Sequence, residues 1–220
     1  MKAIIFDFNG TMVFDSPYHD QAWKRFSKKI RGSEITEEEL ARNVHGKVNE
    51  KIIEYLKPGV DKETSTTLSL EKEALYREMC KNDAEHYTLV AGLEEFLNTL
   101  KDKGIAMNIA SASIKENIDF FVETFHLANW IDPSIIVYDD GSYENKIEMF
   151  KDAAKRMNVK IEDCIVFEDS FSGVQFAKEA GVKTIIAIPN QDHKEEFENN
   201  EAVAFTIKDF KDKRIWEVLA

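Results

Sequence analysis

The sequence predicts an α/β fold: a Rossmann-like parallel sheet core carrying an inserted all-helical cap domain. Three observations predict it. Short apolar runs recur at Ala3–Phe6, Ile105–Ala110, Ile135–Val137, Ile165–Phe167 and Thr184–Ile188, and continuous runs of this kind suit strands buried on both faces. Stretches of helical length separate the later runs, and strands alternating with helices build a doubly wound parallel sheet. The segment between the first two runs contains helical patterns alone.

Taken in order, the first run ends at Asp7 and is followed by Asn9-Gly10, a good turn pair. Ser16-Pro17 then opens a helix with proline at its first position. Thr36-x-x-Glu39 is a capping box for the next. His45-Gly46 breaks the pattern before a helix through Tyr55, which stops near Pro58-Gly59, and a long amphipathic helix runs from Lys62 to Ala84. Residues 15–86 therefore read as the cap, and residues 1–14 with 87–220 as the core, with hinges near Phe14–Ser16 and His86–Val90. In the core, Leu93–Lys103 ends at Gly104, a C-cap. Ile114–Phe125 has Ser113 in the N-cap position, Lys146–Met157 precedes a strand, and Gly173–Ala180 ends at Gly181. Val203–Ile207 and Phe210–Leu219 complete the sheet edge and add a final helix.

Composition narrows the function classes. The chain has 220 residues, 43% of them hydrophobic, enough for a sizeable core. Its net charge of -12 argues against binding the phosphate backbone of nucleic acid. There is no polybasic block for a membrane surface and no apolar stretch long enough to span a bilayer. Asp7 interrupts the N-terminal apolar run, which does not read as a signal peptide. A cytoplasmic monomer is the expectation. Cys164 sits in an apolar run and reads as a buried free thiol, and nothing favours a disulfide with Cys80.

The chemistry gathers at the strand ends. The first strand runs into Phe6-Asp7-Phe8-Asn9-Gly10-Thr11, which puts a carboxylate where it can attack an electrophile. The second ends in Ser111-Ala112-Ser113 before a helix, where a hydroxyl and helix-start amides suit an anion. Lys146 opens a helix, an unfavourable place for a cation unless it turns inward to neutralise negative charge. The fourth strand ends in Glu168-Asp169-Ser170, an acidic pair that repels itself unless a cation joins it. Oxygen donors with little sulfur or imidazole favour magnesium over zinc. Each feature alone has an ordinary structural explanation. Their joint placement along one sheet edge points to a ligand site, because ligands of such sheets bind outside the carboxyl ends of the strands.

Asp7-Phe8-Asn9-Gly10-Thr11, Ser111, Lys146 and Glu168-Asp169 resemble the four motifs of the haloacid dehalogenase superfamily. The start of the cap, Asp15-Ser16-Pro17-Tyr18-His19-Asp20-Gln21-Ala22-Trp23, resembles its β-phosphoglucomutase branch. The resemblance implies that Asp7 attacks phosphorus and carries an aspartyl-phosphate. It implies that Asp7, the backbone carbonyl of Asn9 and Asp169 hold magnesium, with Glu168 ligating directly or through water. Ser111, Ala112 and Lys146 would hold the phosphoryl oxygens, and cap closure would exclude water. A small phosphorylated metabolite, a sugar phosphate by class, is the implied substrate. His19 and His45 read as substrate contacts and Trp23 as core or cleft wall, with Gly46, Lys47, Asn49 and Lys72 as further candidate substrate-binding residues.

Two departures matter. Phosphatases and mutases of the family carry a second aspartate two residues after the nucleophile, where this chain has Asn9. An amide cannot exchange a proton at neutral pH, and losing a general acid/base costs about 10²–10⁴ in rate. Three readings follow: a slow phosphatase or one preferring acyl phosphate or pyrophosphate, a binder of phosphorylated metabolites with little turnover, or a chain in which Asn replaces a natural Asp. The branch's distal-phosphate arginine is Asn49 here, with Lys47 and Lys72 as the available substitutes. Hydrolysis is therefore expected over mutase activity, and the acidic pair disfavours dehalogenation. His19, His45 and His86 match no common zinc spacing.

Overall fold

The computed structural model describes residues 2–189 and 193–219. The chain forms two compact units, Met1–Phe14 with Thr88–Ala220, and Asp15–Tyr87.

The first unit is a six-stranded parallel sheet. Its strands are β1 (Ala3–Phe6), β2 (Met107–Ile114), β3 (Val137–Asp139), β4 (Cys164–Glu168), β5 (Thr184–Ala187) and β6 (Phe205–Thr206), in the order β3-β2-β1-β4-β5-β6. All four residues of β1 are buried, as a strand covered on both faces requires. On one face Ile5, Val166, Ala110 and Ile185 pack with Phe150, Ala153, Val174 and Ala177. The other face is aromatic: Phe6 stacks on Phe167 at 5.3 Å and meets Phe96 edge-on at 6.3 Å.

Register fixes the site. Phe6 lies opposite Ile109 on one side and Phe167 on the other. The next residue, Asp7, therefore emerges level with Glu168 between two neighbouring strand ends, and its backbone N–H donates to Phe167 O at 3.0 Å. The order of the sheet reverses direction at β1, which is where an open α/β sheet forms its crevice.

Strand limits shift from the sequence reading. β2 starts at Met107 and continues to Ile114, well past Ala110. Pro133–Ile135 is a 3-10 turn, so β3 begins only at Val137. A short helix at Lys194–Glu198 had no counterpart in the sequence reading. Cys80 and Cys164 are both buried and free. Among the described residues, no helix is long and apolar enough to cross a membrane.

The second unit is helical: α1 (Ser16–Arg31), α2 (Glu37–Asn43), α3 (Asn49–Leu56) and α4 (Lys62–Asn82). Gly32 ends α1 in the left-handed conformation. The Thr36–Glu39 capping box is formed, with Glu39 N donating to Thr36 Oγ1 at 3.2 Å and Thr36 N to Glu39 Oε2 at 2.8 Å. Trp23, Phe26, Leu40, Ile52, Ile53 and Leu56 form its core. The remaining helices belong to the sheet unit: α5 (Leu93–Asp102), α6 (Lys115–Thr124), α7 (Lys146–Arg156), α8 (Phe171–Ala180), α9 (Lys194–Glu198) and α10 (Arg214–Leu219).

Candidate active site

Asp7 is only 6% exposed and has a charged partner. Lys146, the first residue of α7, donates to Asp7 Oδ1 at 2.6 Å and also to Glu168 Oε1. The start of α7 is capped by Asn145, whose Oδ1 accepts from Ile147 N at 2.9 Å. Lys146, a donor with no favourable role at a helix start, turns to the carboxylates at the strand ends. Burial raises the Asp7 carboxyl, Lys146 opposes the rise and Glu168 adds to it, and together they leave the group at about 7. Burial works against the Lys146 ammonium, but Asp7 and Glu168 outweigh it and hold the group above its ordinary range.

Glu168 is fully buried and heavily engaged. Its Oε2 accepts from Asp169 N at 2.9 Å, Ser170 N at 3.0 Å and Ser170 Oγ at 3.0 Å. Ser170 Oγ in turn accepts from Gly173 N at 3.0 Å, capping α8. A Cβ on Gly173 would lie 1.9 Å from Glu168 Oε1, so only glycine leaves room for this carboxylate. Glu168 thus ties the loop after β4 to Lys146.

Asp7, Glu168 and Asp169 each offer a carboxylate oxygen within 4.8 Å of the others. Lys146 bonds to two of them, Asp7 and Glu168. The donor set is oxygen alone and carries excess negative charge, which fits a hard divalent cation such as magnesium.

The opposite wall comes from β2. Ser111 is 1% exposed, and its Oγ accepts from Ser113 N at 3.2 Å. Ser113 Oγ donates to Asn9 Oδ1 at 2.7 Å, and Ser111 Oγ lies 3.5 Å from the same oxygen. This corrects the reading of Ser113 as a helix cap. The strand runs on to Ile114, which occupies the cap position of α6 with no side-chain cap bond. Ser111 and Ser113 both reach Asn9 Oδ1 while Ala112 is exposed, over a stretch where the β2–β3 register shifts between Ser111 and Ile114. The Ser-x-Ser spacing was the available signal, read as the wrong element.

In the helical unit, four of the expected substrate contacts come together, with Lys72 and Trp23 buried and His19 and Asn49 half-buried. Lys72 is 1% exposed. Its Nζ lies 2.8 Å from His19 Nδ1, 2.8 Å from Glu73 Oε1 and 5.0 Å from the centre of the Trp23 ring. Asn49 Nδ2 donates to Glu73 Oε1 at 2.7 Å. His19 also stacks on Tyr76 at 4.0 Å, and Tyr76 donates to buried Asp15 at 2.6 Å. Burial pulls the Lys72 ammonium below its ordinary range, with Glu73 opposing. Glu73, the acceptor at the centre of this cluster, was not singled out from sequence. Trp23, 2% exposed, belongs to the core of the unit. His45, Gly46 and Lys47 form an exposed turn instead, where His45 Nε2 lies 2.9 Å from Asp20 Oδ1.

A family model for haloacid dehalogenase-like hydrolases matches residues 1–181. The crystal structure of a HAD hydrolase, family IA, variant 3, from Entamoeba histolytica superposes with a TM-score of 0.92 at 33% identity, covering 100% of this chain and 98% of that one. The phosphorylated carbohydrates phosphatase of Thermotoga maritima is 27% identical, over 86% of this chain and 85% of that protein. The β-phosphoglucomutase of Bacillus subtilis is 25% identical, over 83% and 81% respectively.

Proposed function

Because the chain belongs to the haloacid dehalogenase-like hydrolases, we propose that it is a magnesium-dependent phosphohydrolase working through an aspartyl-phosphate on Asp7. The substrate class we assign is a small phosphorylated metabolite, a sugar phosphate. One observation carries the reading: a buried nucleophilic carboxylate, Asp7, bonded to a buried lysine that a second carboxylate holds in place.

Asp7, Asp169 and the backbone carbonyl of Asn9 would hold the metal. Glu168, already engaged on both oxygens, would act through water or by placing Lys146. Bound magnesium supplies charge neutralisation for the phosphoryl oxygens and favours the ionised form of Asp7. An Asp7 oxygen attacks phosphorus while Lys146 balances the charge of the transferring group, and the Ser111 hydroxyl with the Ala112 amide takes the remaining oxygens. The leaving oxygen of a sugar needs a proton, which Asn9 does not supply. Turnover of sugar phosphates is accordingly slow.

The helical unit acts as the cap that selects substrate. Within it Lys72 and Trp23 are buried, and the His45–Lys47 turn is exposed. The phosphorylated-carbohydrate activity named for the Thermotoga maritima relative supports the substrate class. The mutase named for the Bacillus subtilis relative is disfavoured by Asn9 and by Asn49, whose amide is spent on Glu73. Asn9 also supports a second reading, a phosphometabolite-binding protein with little turnover.

The test is phosphate release from a panel of sugar phosphates, with and without magnesium. Metal-dependent release that Asp7→Asn abolishes is expected. Full activity in Asp7→Asn would sink the proposal, and binding without release in every condition would favour the second reading.

A further inference from the structure

The far end of α7 carries a feature that the strand-end chemistry does not use. A cavity of about 370 Å³ lies where α7 turns toward β4. Three lysines line it, Lys151, Lys155 and Lys160, together with Ala154, Val159 and Ile161. α7 begins with Lys146 on Asp7 and has 11 residues, a length of about 16 Å. The cavity belongs to its second half and to the turn beyond.

Local structure builds this cavity. Lys151 and Lys155 stand four apart and share one helical face. Asn158 takes a φ of +57, a left-handed turn that ends the helix. Val159 N donates to Ala154 O at 3.1 Å and Asn158 N to Lys155 O at 2.9 Å. Carbonyls that would give this helix end its partial negative charge are thereby occupied. Lys160 follows the turn and joins the two helical lysines around one space.

The three charges are not spent within the protein. Among the described residues, none of these ammonium groups has a hydrogen bond or ion pair, although the chain has 41 acidic against 29 basic side chains. Arg156, in the same last turn, does bond to Asp152 at 2.8 Å. A lysine in a last turn offsets the helix dipole. That accounts for Lys155, but not for Lys151 one turn earlier or Lys160 outside the helix. Like charges four apart repel, and an anion between them turns that repulsion into attraction.

We propose that this cavity is a second anion site, which takes a small oligophosphate. A lysine ammonium is a compact charge with three donors, suited to phosphate oxygens. Three of them around one cavity match an anion of several charges, and the apolar lining of Ala154, Val159 and Ile161 limits the water that screens it. The site is independent of the phosphohydrolase reading, because it shares no residue with the strand ends.

The test titrates sodium tripolyphosphate into the full chain in magnesium-free buffer, followed by calorimetry and by backbone amide NMR. One variant carries Lys151→Gln, Lys155→Gln and Lys160→Gln. A control carries Lys103→Gln, Lys208→Gln and Lys213→Gln, exposed lysines elsewhere whose loss removes the same charge. In the unaltered chain the amides of residues 158–161 are expected to shift. Binding at those amides should weaken at least about tenfold in the cavity variant and stay within about twofold in the control. Tripolyphosphate held at the strand ends would shift the amides of residues 7–10 instead. Shifts confined to residues 7–10, equal weakening in both variants, or no binding overturns the site. The amide shifts are read from the unaltered chain, so the outcome does not depend on how well a variant folds.

Discussion

The carboxylate of Asp169 occupies the space in which Gly10 would carry a side chain: a Cβ there would lie 2.1 Å from Asp169 Oδ2. Gly10 also has φ of +75, which disfavours any other residue. The turn after the nucleophile and the acid after β4 therefore constrain one another. Gly10→Ala must displace Asp169 or distort the turn. We expect it to stay folded by circular dichroism but to need at least about tenfold more magnesium for half-maximal phosphate release, the equivalent of about 1.4 kcal/mol. An unchanged magnesium titration would show that Asp169 is not held in place by this contact.

Lys146 bonds to two buried carboxylates. Removing one partner of a buried ion pair typically costs about 3–5 kcal/mol, because the remaining charge loses its compensation. Lys146→Ala is expected to lower the denaturant midpoint accordingly in the absence of metal, and to abolish phosphate release. A variant as stable as the parent would mean that Asp7 and Glu168 adapt by protonation.

Glu73 supplies a pH signature. Burial works to raise its carboxyl, but Lys72 and His19, with the Asn49 hydrogen bond, outweigh it and bring the group down to about 2 from an ordinary 4.5. A carboxylate depressed in the folded state contributes stability that is fully present above its unfolded value and is lost as pH falls toward the folded one. Denaturant unfolding between pH 5 and about pH 2.5 should therefore show a decline that Glu73→Gln flattens. At neutral pH the same variant should be less stable, since buried Lys72 is left without its anion. Equal pH slopes in the two proteins would assign the acid sensitivity elsewhere.

Ser113→Ala should release the Asn9 amide without removing any group that touches phosphate. The loss of one hydrogen bond, about 1 kcal/mol, corresponds to roughly a fivefold fall in rate. The change should fall on kcat for phosphate release, with KM little altered, and Ser113→Thr should restore it. A rise in KM alone would place Ser113 in substrate binding.

Much of the site was legible because its chemistry sits at the ends of apolar runs. Asp7 and Glu168 are unmistakable breaks in otherwise buried strands, and parallel pairing brings them level. Lys146 stood out because a cation at a helix start needs a reason. What escaped depended on contacts distant in sequence. A serine before a helical pattern looks like a cap, and only the partner Asn9 reveals that the strand continues. Lys72 and Glu73 sit side by side in a charged helix, which suggests two solvated groups. Their burial depends on His19, Trp23 and Asn49, contributed by other helices. The helix at Lys194–Glu198 has too few residues to show a period.

The central position of β1 has a further consequence, for the order in which the molecule can assemble. Ile4 pairs with Met107 on one side and Ile165 on the other, so the first strand made is bonded on both edges only after both distant strands exist. Such non-local parallel pairing folds slowly, since loop closure must precede any gain from the contacts. During synthesis the fully apolar Ala3–Phe6 segment can close one edge on β2, but its other edge stays open until β4 has emerged. The nucleophile, its lysine and its acidic neighbour therefore come together in the same late event that completes the sheet. A chain truncated before β4 would lack the strand that organises Asp7 and would present an aggregation-prone edge in its place.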